Sequence, residues 1–259
     1  MPLRPLRRAL LVVAGVALAL SGCSSSSSTS SSGNLTGSLD VFAAASLTGA
    51  FNSAKTTLQS AHSGLSITYN FAGTNALVSQ VEQGAPADVF ASADTSNMQK
   101  LVSAGLVETP VNFAKNKLEI AVAPGNTKHI TGLADLANPA ISVVLEAQGV
   151  PAGDYTRQVL AAQHLTVNPR SLETDVKSAI AKVTTGEADA TVVYVTDVSA
   201  AGSKVTGVTI PDSEQPVITY PIAVVKASKN QAAAKAFVDS AVSGDVQKAL
   251  EAAGFLPPR

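Results

Sequence analysis

From residue 38 to the C-terminus the chain alternates between two hydrophobic periods, and this alternation narrows the possible folds more than any other feature. Residues 38–43 form a short apolar run of strand type. In residues 47–62, Leu47, Ala50, Phe51, Ala54, Leu58 and Ala61 recur at spacings of three and four, which lines one face of a helix. Residues 66–71 alternate as a strand does, 75–83 read as a helix stopped by Gly84, and 88–91 as a short strand. Asp94 is placed to cap a helix running to residue 104. Further strands are expected at 118–123, 141–145, 190–195, 205–210 and 218–225, with helices at 153–162 and 175–184. Thr174 is a candidate cap for the second of these, and residues 231–253 read as two helices around Gly244. Pro221 cannot donate to a ladder, which puts the last strand near an edge or a crossover. Strand–helix alternation of this kind predicts an α/β fold with largely parallel sheets. No long linker follows residue 32. A division into two lobes would therefore fall at short crossovers, best placed at 112–117 and 219–221, leaving the first lobe discontinuous.

The N-terminus sets the compartment. Arg4, Arg7 and Arg8 precede an apolar run at residues 9–20. Twelve residues fall short of the roughly 20 a membrane span needs, so basic start and short apolar core read as a secretory signal. Leu20-Ser21-Gly22-Cys23 then resembles the bacterial lipobox, which implies cleavage before Cys23 and lipidation of its sulfur. The competing reading is a plain signal peptide with a chance cysteine, but Cys23 is the only cysteine in the chain. Residues 24–32 are serine with one threonine and have nothing to bury, so residues 23–37 read as a tether. Cleavage leaves 237 residues, enough for one large domain or two small ones, with no disulfide possible within the chain. The net charge is −1, and loss of the three arginines makes the mature side chains about −4. An acidic body argues against a nucleic-acid partner, which requires a basic patch.

Catalytic and metal-binding patterns are not evident. His62, His129 and His164 are scattered and have no partner at metal-ligand spacing. There is no Gly-Lys dipeptide of a P-loop and no G-x-S-x-G elbow. Glu82, Asp88 and Asp94 sit beside helix termini, where capping explains them. With no nucleophile–base pair in view, an enzyme is disfavoured.

What the chain does carry is one design used several times: a strand, a small or hydroxylated residue, then a helix. Ser46, Thr74, the Val150-Pro151-Ala152-Gly153 turn and Thr174-Asp175-Val176 each stand at such a junction. The first turn of a helix leaves N–H groups unpaired and carries about half a positive charge, so it attracts anions, and a nearby hydroxyl adds a donor. Serine and threonine also cap helices throughout proteins. A single junction therefore means little, and only convergence of several would make a site.

An ordered set of segments supplies that convergence by resemblance. Ala43-Ala44-Ala45-Ser46-Leu47 and the run Gly84-Ala85-Pro86-Ala87-Asp88-Val89-Phe90-Ala91-Ser92-Ala93-Asp94 come first. Val150-Pro151-Ala152-Gly153-Asp154-Tyr155, Glu173-Thr174-Asp175-Val176, Val193-Tyr194-Val195-Thr196-Asp197, Tyr220-Pro221-Ile222-Ala223-Val224-Val225 and Gly254-Phe255 follow in order. Together these resemble the periplasmic molybdate-binding proteins of ABC importers, over essentially residues 39–255. The resemblance implies a two-lobed periplasmic-binding-protein fold of type II. Residues 38–114 and 222–259 would form one lobe and 115–221 the other, closing on the anion in the cleft between them. It further implies that Ser46 and Thr74 offer hydroxyl and backbone N–H, Ala152 and Val176 backbone N–H alone, and Tyr194 its phenol O–H. The competing readings are N-caps for Ser46 and Thr74, ordinary packing for Ala152 and Val176, and a core aromatic for Tyr194. The family often has a serine-rich run where this chain has Gly73-Thr74-Asn75; threonine keeps the hydroxyl and its methyl narrows the pocket.

None of these positions is lysine or arginine, which suits a fully ionised dianion held by neutral donors. The implied ligand is molybdate or tungstate, with no cofactor and no direct metal ligands. The implied partners are an ABC transporter permease and, through the lipid anchor, the outer face of the cell membrane; the protein is expected to be a monomer. Phosphate near neutral pH often keeps a proton that wants a carboxylate acceptor, and no matched position provides one. Three other readings stay open at this level. They are a receptor for another tetrahedral oxyanion such as sulfate, an enzyme on the same scaffold using Asp154 or Asp175, and a surface lipoprotein acting through protein contacts alone.

Overall fold

The computed structural model describes residues 36–258. The signal segment at 1–22, Cys23 and the tether as far as residue 35 lie outside the described residues. In chain order the elements are β1 (Gly37–Ala44), α1 (Thr48–Ala61), β2 (Leu65–Ala72), α2 (Thr74–Glu82), β3 (Val89–Ala91), α3 (Thr95–Ser103), β4 (Val111–Asn116) and β5 (Leu118–Val122). There follow β6 (Val144–Glu146), α4 (Pro151–Ala162), β7 (Ser171–Glu173), α5 (Val176–Thr184), β8 (Ala190–Tyr194), α6 (Val195–Ala201), β9 (Thr206–Thr209), β10 (Ile218–Val224), α7 (Gln231–Ser243) and α8 (Asp245–Ala252).

Three sheets result, in orders β2-β1-β3-β10-β4, β8-β5-β9 and β6-β7. Pairing is parallel where a helix intervenes, as in β1–β2 and β6–β7, because a parallel neighbour needs a crossover. β1 also pairs with β3 in parallel, completing two βαβ units. β10 runs antiparallel between β3 and β4, and β5 runs antiparallel to both β8 and β9. A lone parallel bridge, Val143 to Ala190, lies between the two smaller sheets. The chain passes from the five-stranded to the three-stranded sheet at Lys117 and returns between β9 and β10.

The five-stranded sheet is covered on both faces, which explains why its strands read as apolar runs. On β1, Leu39, Val41 and Ala43 face the larger core, shared with Phe51 of α1 and Phe237 of α7. Phe42 points the other way, into a smaller core with Leu77 and Val81 of α2 and Leu101 of α3. Phe51 and Phe237 meet edge to face at 5.6 Å, a geometry aromatic pairs favour.

The structure departs from the sequence reading in four places. Pro221 is interior, not at an edge: β10 lies between two strands, and the missing N–H is absorbed by a register shift at Tyr220/Pro221. Of residues 112–117, expected as a crossover, all but Lys117 belong to strand β4 and the crossing falls at Lys117 alone, while 219–221, the other expected crossover, lie inside β10. Asp175, not Thr174, caps α5, because its carboxylate reaches two N–H groups, Lys177 at 2.8 Å and Ser178 at 3.0 Å. β7 and α6 had no sequence signal: one is three residues long and the other seven, both too short for a period to register.

Candidate functional site

Parallel strands with helical crossovers end on the same side of a sheet, and the helices that follow start there. β1 ends in a short 3-10 turn at residues 45–47, β2 leads into α2, β6 into α4 and β7 into α5. Five of the residues at such ends, Ser46, Thr74, Ala152, Val176 and Tyr194, line one small cleft of ≈ 210 Å³. All five are buried.

The donors are left free by the local geometry. The 3-10 turn, α2 and α4 have no side-chain cap, so their first N–H groups have no intrahelical partner. At α5 the Asp175 carboxylate takes the N–H groups of Lys177 and Ser178, which leaves Val176 N–H uncapped. Neither Ser46 nor Thr74 acts as an N-cap. Gly73 occupies the cap position of α2, and Thr74 Oγ1 accepts from Ala93 N–H at 3.3 Å, leaving its own proton to donate. Ser46 Oγ lies 3.1 Å from Tyr220 Oη.

Tyr194 ends β8 with its side chain 1% exposed, and its hydroxyl has no hydrogen-bond partner. Besides burial, a weak contact with the Tyr220 hydroxyl, beyond hydrogen-bonding distance, adds to the rise in its pKa, while Tyr220 makes its close hydrogen bond with Ser46 at 3.1 Å. Burial, with smaller contributions from Tyr220 and Asp94, holds the Tyr194 phenol well above its usual range, so it stays a proton donor. A buried hydroxyl without a partner costs about 1–3 kcal/mol, so a fold that keeps one in a cleft reserves it for something that enters.

Among the described residues no lysine or arginine lines the cleft, and its only carboxylate is Asp175. Both oxygens of that group are committed: Oδ1 to the cap, Oδ2 to the hydroxyls of Ser178 at 3.1 Å and Thr174 at 3.3 Å. Asp154 is bound to Gly149 N–H at 3.0 Å and paired with Arg157. The cleft thus presents N–H and O–H groups and no free base. Among the described residues no group of three His, Cys, Asp or Glu is arranged to hold a metal ion, and no helix is long and apolar enough to cross a membrane.

Two residues that act here escaped the sequence reading as contributors. Tyr220 sits in a strand where nothing local marks its contact with Ser46. Asn97 looks like an ordinary helix residue, yet its amide donates to Gly149 O at 3.2 Å, 52 positions along the chain.

The molybdate-binding protein ModA of Mycobacterium tuberculosis is 40% identical over 252 residues, covering 96% of this chain and 97% of that protein. The structure of the periplasmic molybdate-binding protein of Azotobacter vinelandii superposes with TM-score 0.72 at 21% identity, over 85% of this chain and 100% of that one. The sulfate-binding protein SubI of M. tuberculosis superposes equally, with TM-score 0.72 at 21% identity over 85% and 86% of the two chains. Those two likenesses establish the shared fold only. Residues 39–256 match the family described as bacterial extracellular solute-binding protein, and with the extent of the ModA match the chain belongs to that family and, within it, to the molybdate-binding ModA group.

Proposed function

We propose that the protein captures molybdate outside the cytoplasm and delivers it to an ABC importer. The observation that carries this reading is the unpartnered Tyr194 hydroxyl, buried in a small cleft with the helix starts at Thr74, Ala152 and Val176 and with Ser46. Such a set can donate to every oxygen of a tetrahedral dianion and accepts nothing in return. Each hydrogen bond to a charged group contributes about 1.5–3 kcal/mol. Five give about 7.5–15 kcal/mol, of the same order as the roughly 4–15 kcal/mol that association costs. Tungstate has the same charge and shape and fits the same donors. The protein acts as a binder with no cofactor, and Asp154 and Asp175, the acids an enzyme would need, are committed elsewhere.

In this reading, residues 38–114 with 222–259, and residues 115–221, are lobes that close by hinge motion. Cys23, lipidated and followed by the serine tether, anchors a monomeric receptor to the outer face of the membrane beside its permease.

Sulfate is the second reading, because it too is a tetrahedral dianion that neutral donors with no lysine or arginine beside them can hold. A thermal-shift panel separates them. Molybdate and tungstate at low micromolar concentration should raise Tm by several degrees, with sulfate needing far more; the opposite order would make the protein a sulfate receptor.

A further inference from the structure

We propose that Gly73 and Asn97 form a latch that holds the cleft shut, so that they set how long the anion stays rather than how fast it arrives. The proposal rests on the binding reading above.

Two contacts cross the cleft. Asn97 of α3 donates from Nδ2 to Gly149 O, in the loop between β6 and α4, at 3.2 Å. Its amide orientation is fixed, because Oδ1 accepts from Lys100 Nζ at 2.9 Å while Nδ2 also donates to Asp94 Oδ2 at 2.9 Å. The receiving peptide is fixed as well. Gly149 has φ +88°, a conformation other residues rarely adopt, and its N–H is held by the Asp154 carboxylate. Asn97 is buried, and the bond is partly shielded from water.

The second contact is steric. A Cβ on Gly73 would overlap the carbonyl oxygen of Thr174, just before α5. Gly73 has φ −57° and ψ 136°, which any residue can adopt. Glycine is therefore required there by the approach of the opposite wall, not by the torsions. Gly73 immediately precedes Thr74 and Thr174 stands two residues before Val176, so the walls touch beside a donor on each side.

Neither contact exists when the walls are apart. A contact made only in the closed state stabilises the closed complex and leaves the encounter untouched, so its loss appears in the dissociation rate. Alanine at 73 suits the local backbone and lowers the entropy of the unfolded chain, so the unliganded protein should not be weakened.

The test combines stopped-flow tyrosine fluorescence with molybdate, melting of the unliganded protein, and small-angle scattering, on the wild type, Gly73→Ala and Asn97→Ala. For Gly73→Ala the expected result is an unliganded Tm equal to or above wild type, association within about twofold, dissociation about tenfold faster or more, and a wider scattering profile with molybdate. Asn97→Ala should speed dissociation by a few-fold. Unchanged dissociation in Gly73→Ala, or a loss confined to association, overturns the latch. If the wild type does not bind molybdate, the functional reading fails separately. The latch is then judged with sulfate as the ligand, where Gly73→Ala must still release the anion faster than wild type and equal dissociation rates refute it.

Discussion

The hydroxyls of Ser46 and Tyr220 lie 3.1 Å apart in the buried interior, one just past β1 and the other within β10. Burial raises the Tyr220 phenol well above its usual range, which keeps it protonated and able to donate. The 3.1 Å separation lets either hydroxyl donate; where Tyr220 donates to Ser46 Oγ, the Ser46 proton is left for the cleft. Packing holds the ring in place, edge to face against Phe255 at 5.5 Å and Phe113 at 6.4 Å.

Tyr220→Phe should therefore fold normally and bind molybdate more weakly. The loss is that of one ordinary hydrogen bond, about 1 kcal/mol or roughly fivefold in Kd. Calorimetry on both proteins measures it, and an unchanged Kd would mean Ser46 does not depend on Tyr220.

Tyr194→Phe should act differently, because the Tyr194 hydroxyl has no partner to lose in the unliganded protein. Unliganded stability should stay level or rise. Molybdate affinity should fall by about 1.5–3 kcal/mol, roughly 10- to 150-fold. Denaturant titration and calorimetry separate the two effects, and a destabilised but normally binding variant would assign Tyr194 to the core alone.

Asp175→Asn should keep the α5 cap, since asparagine caps about as well as aspartate, and remove the one negative charge on the cleft wall. Stability should change by less than about 0.5 kcal/mol while molybdate binds a few-fold tighter. Weaker binding would show that the carboxylate, not merely its geometry, is needed.

Glu146, at the end of β6, is fully buried with neither carboxylate oxygen partnered. Burial first, then the charge of Asp197, pushes its pKa up from 4.5 to about 8, against Arg157. The native state therefore holds a proton that the unfolded chain has released. Stability from this group is complete below about pH 4.5 and is lost as pH rises toward 8. Glu146→Gln should flatten that decline, by an amount of order a few kcal/mol between pH 5 and pH 8.5. Parallel urea titrations at the two pH values check it; equal slopes in both proteins would rule out Glu146 as the source.

Much of this was readable from residue order. The period-2 and period-3.6 runs located β1, α1, β2 and α2 to within a residue or two, because strands covered on both faces and amphipathic helices leave strong periodic marks. Asp94 was legible as a cap because capping is local, and its carboxylate does accept from Asn97 N–H at 2.8 Å. Pro221 was misleading because a bulge deep in the sheet depends on the register of β4, more than 100 positions earlier. The gathering of Ser46, Thr74, Ala152, Val176 and Tyr194 into one cleft was not available from periodicity either. It depends on which strand ends lie side by side, and only the family resemblance anticipated it. Tyr220 stood only within a segment of the family resemblance, with no role attached, and Asn97 left no sign, since each works through a contact distant in sequence.

The most direct test is titration calorimetry of the purified protein with molybdate, sulfate and phosphate at neutral pH. The expected result is a single molybdate site, matched by tungstate, far tighter than sulfate and with no heat from phosphate. Heat and stabilisation from phosphate, with none from molybdate, would contradict the account.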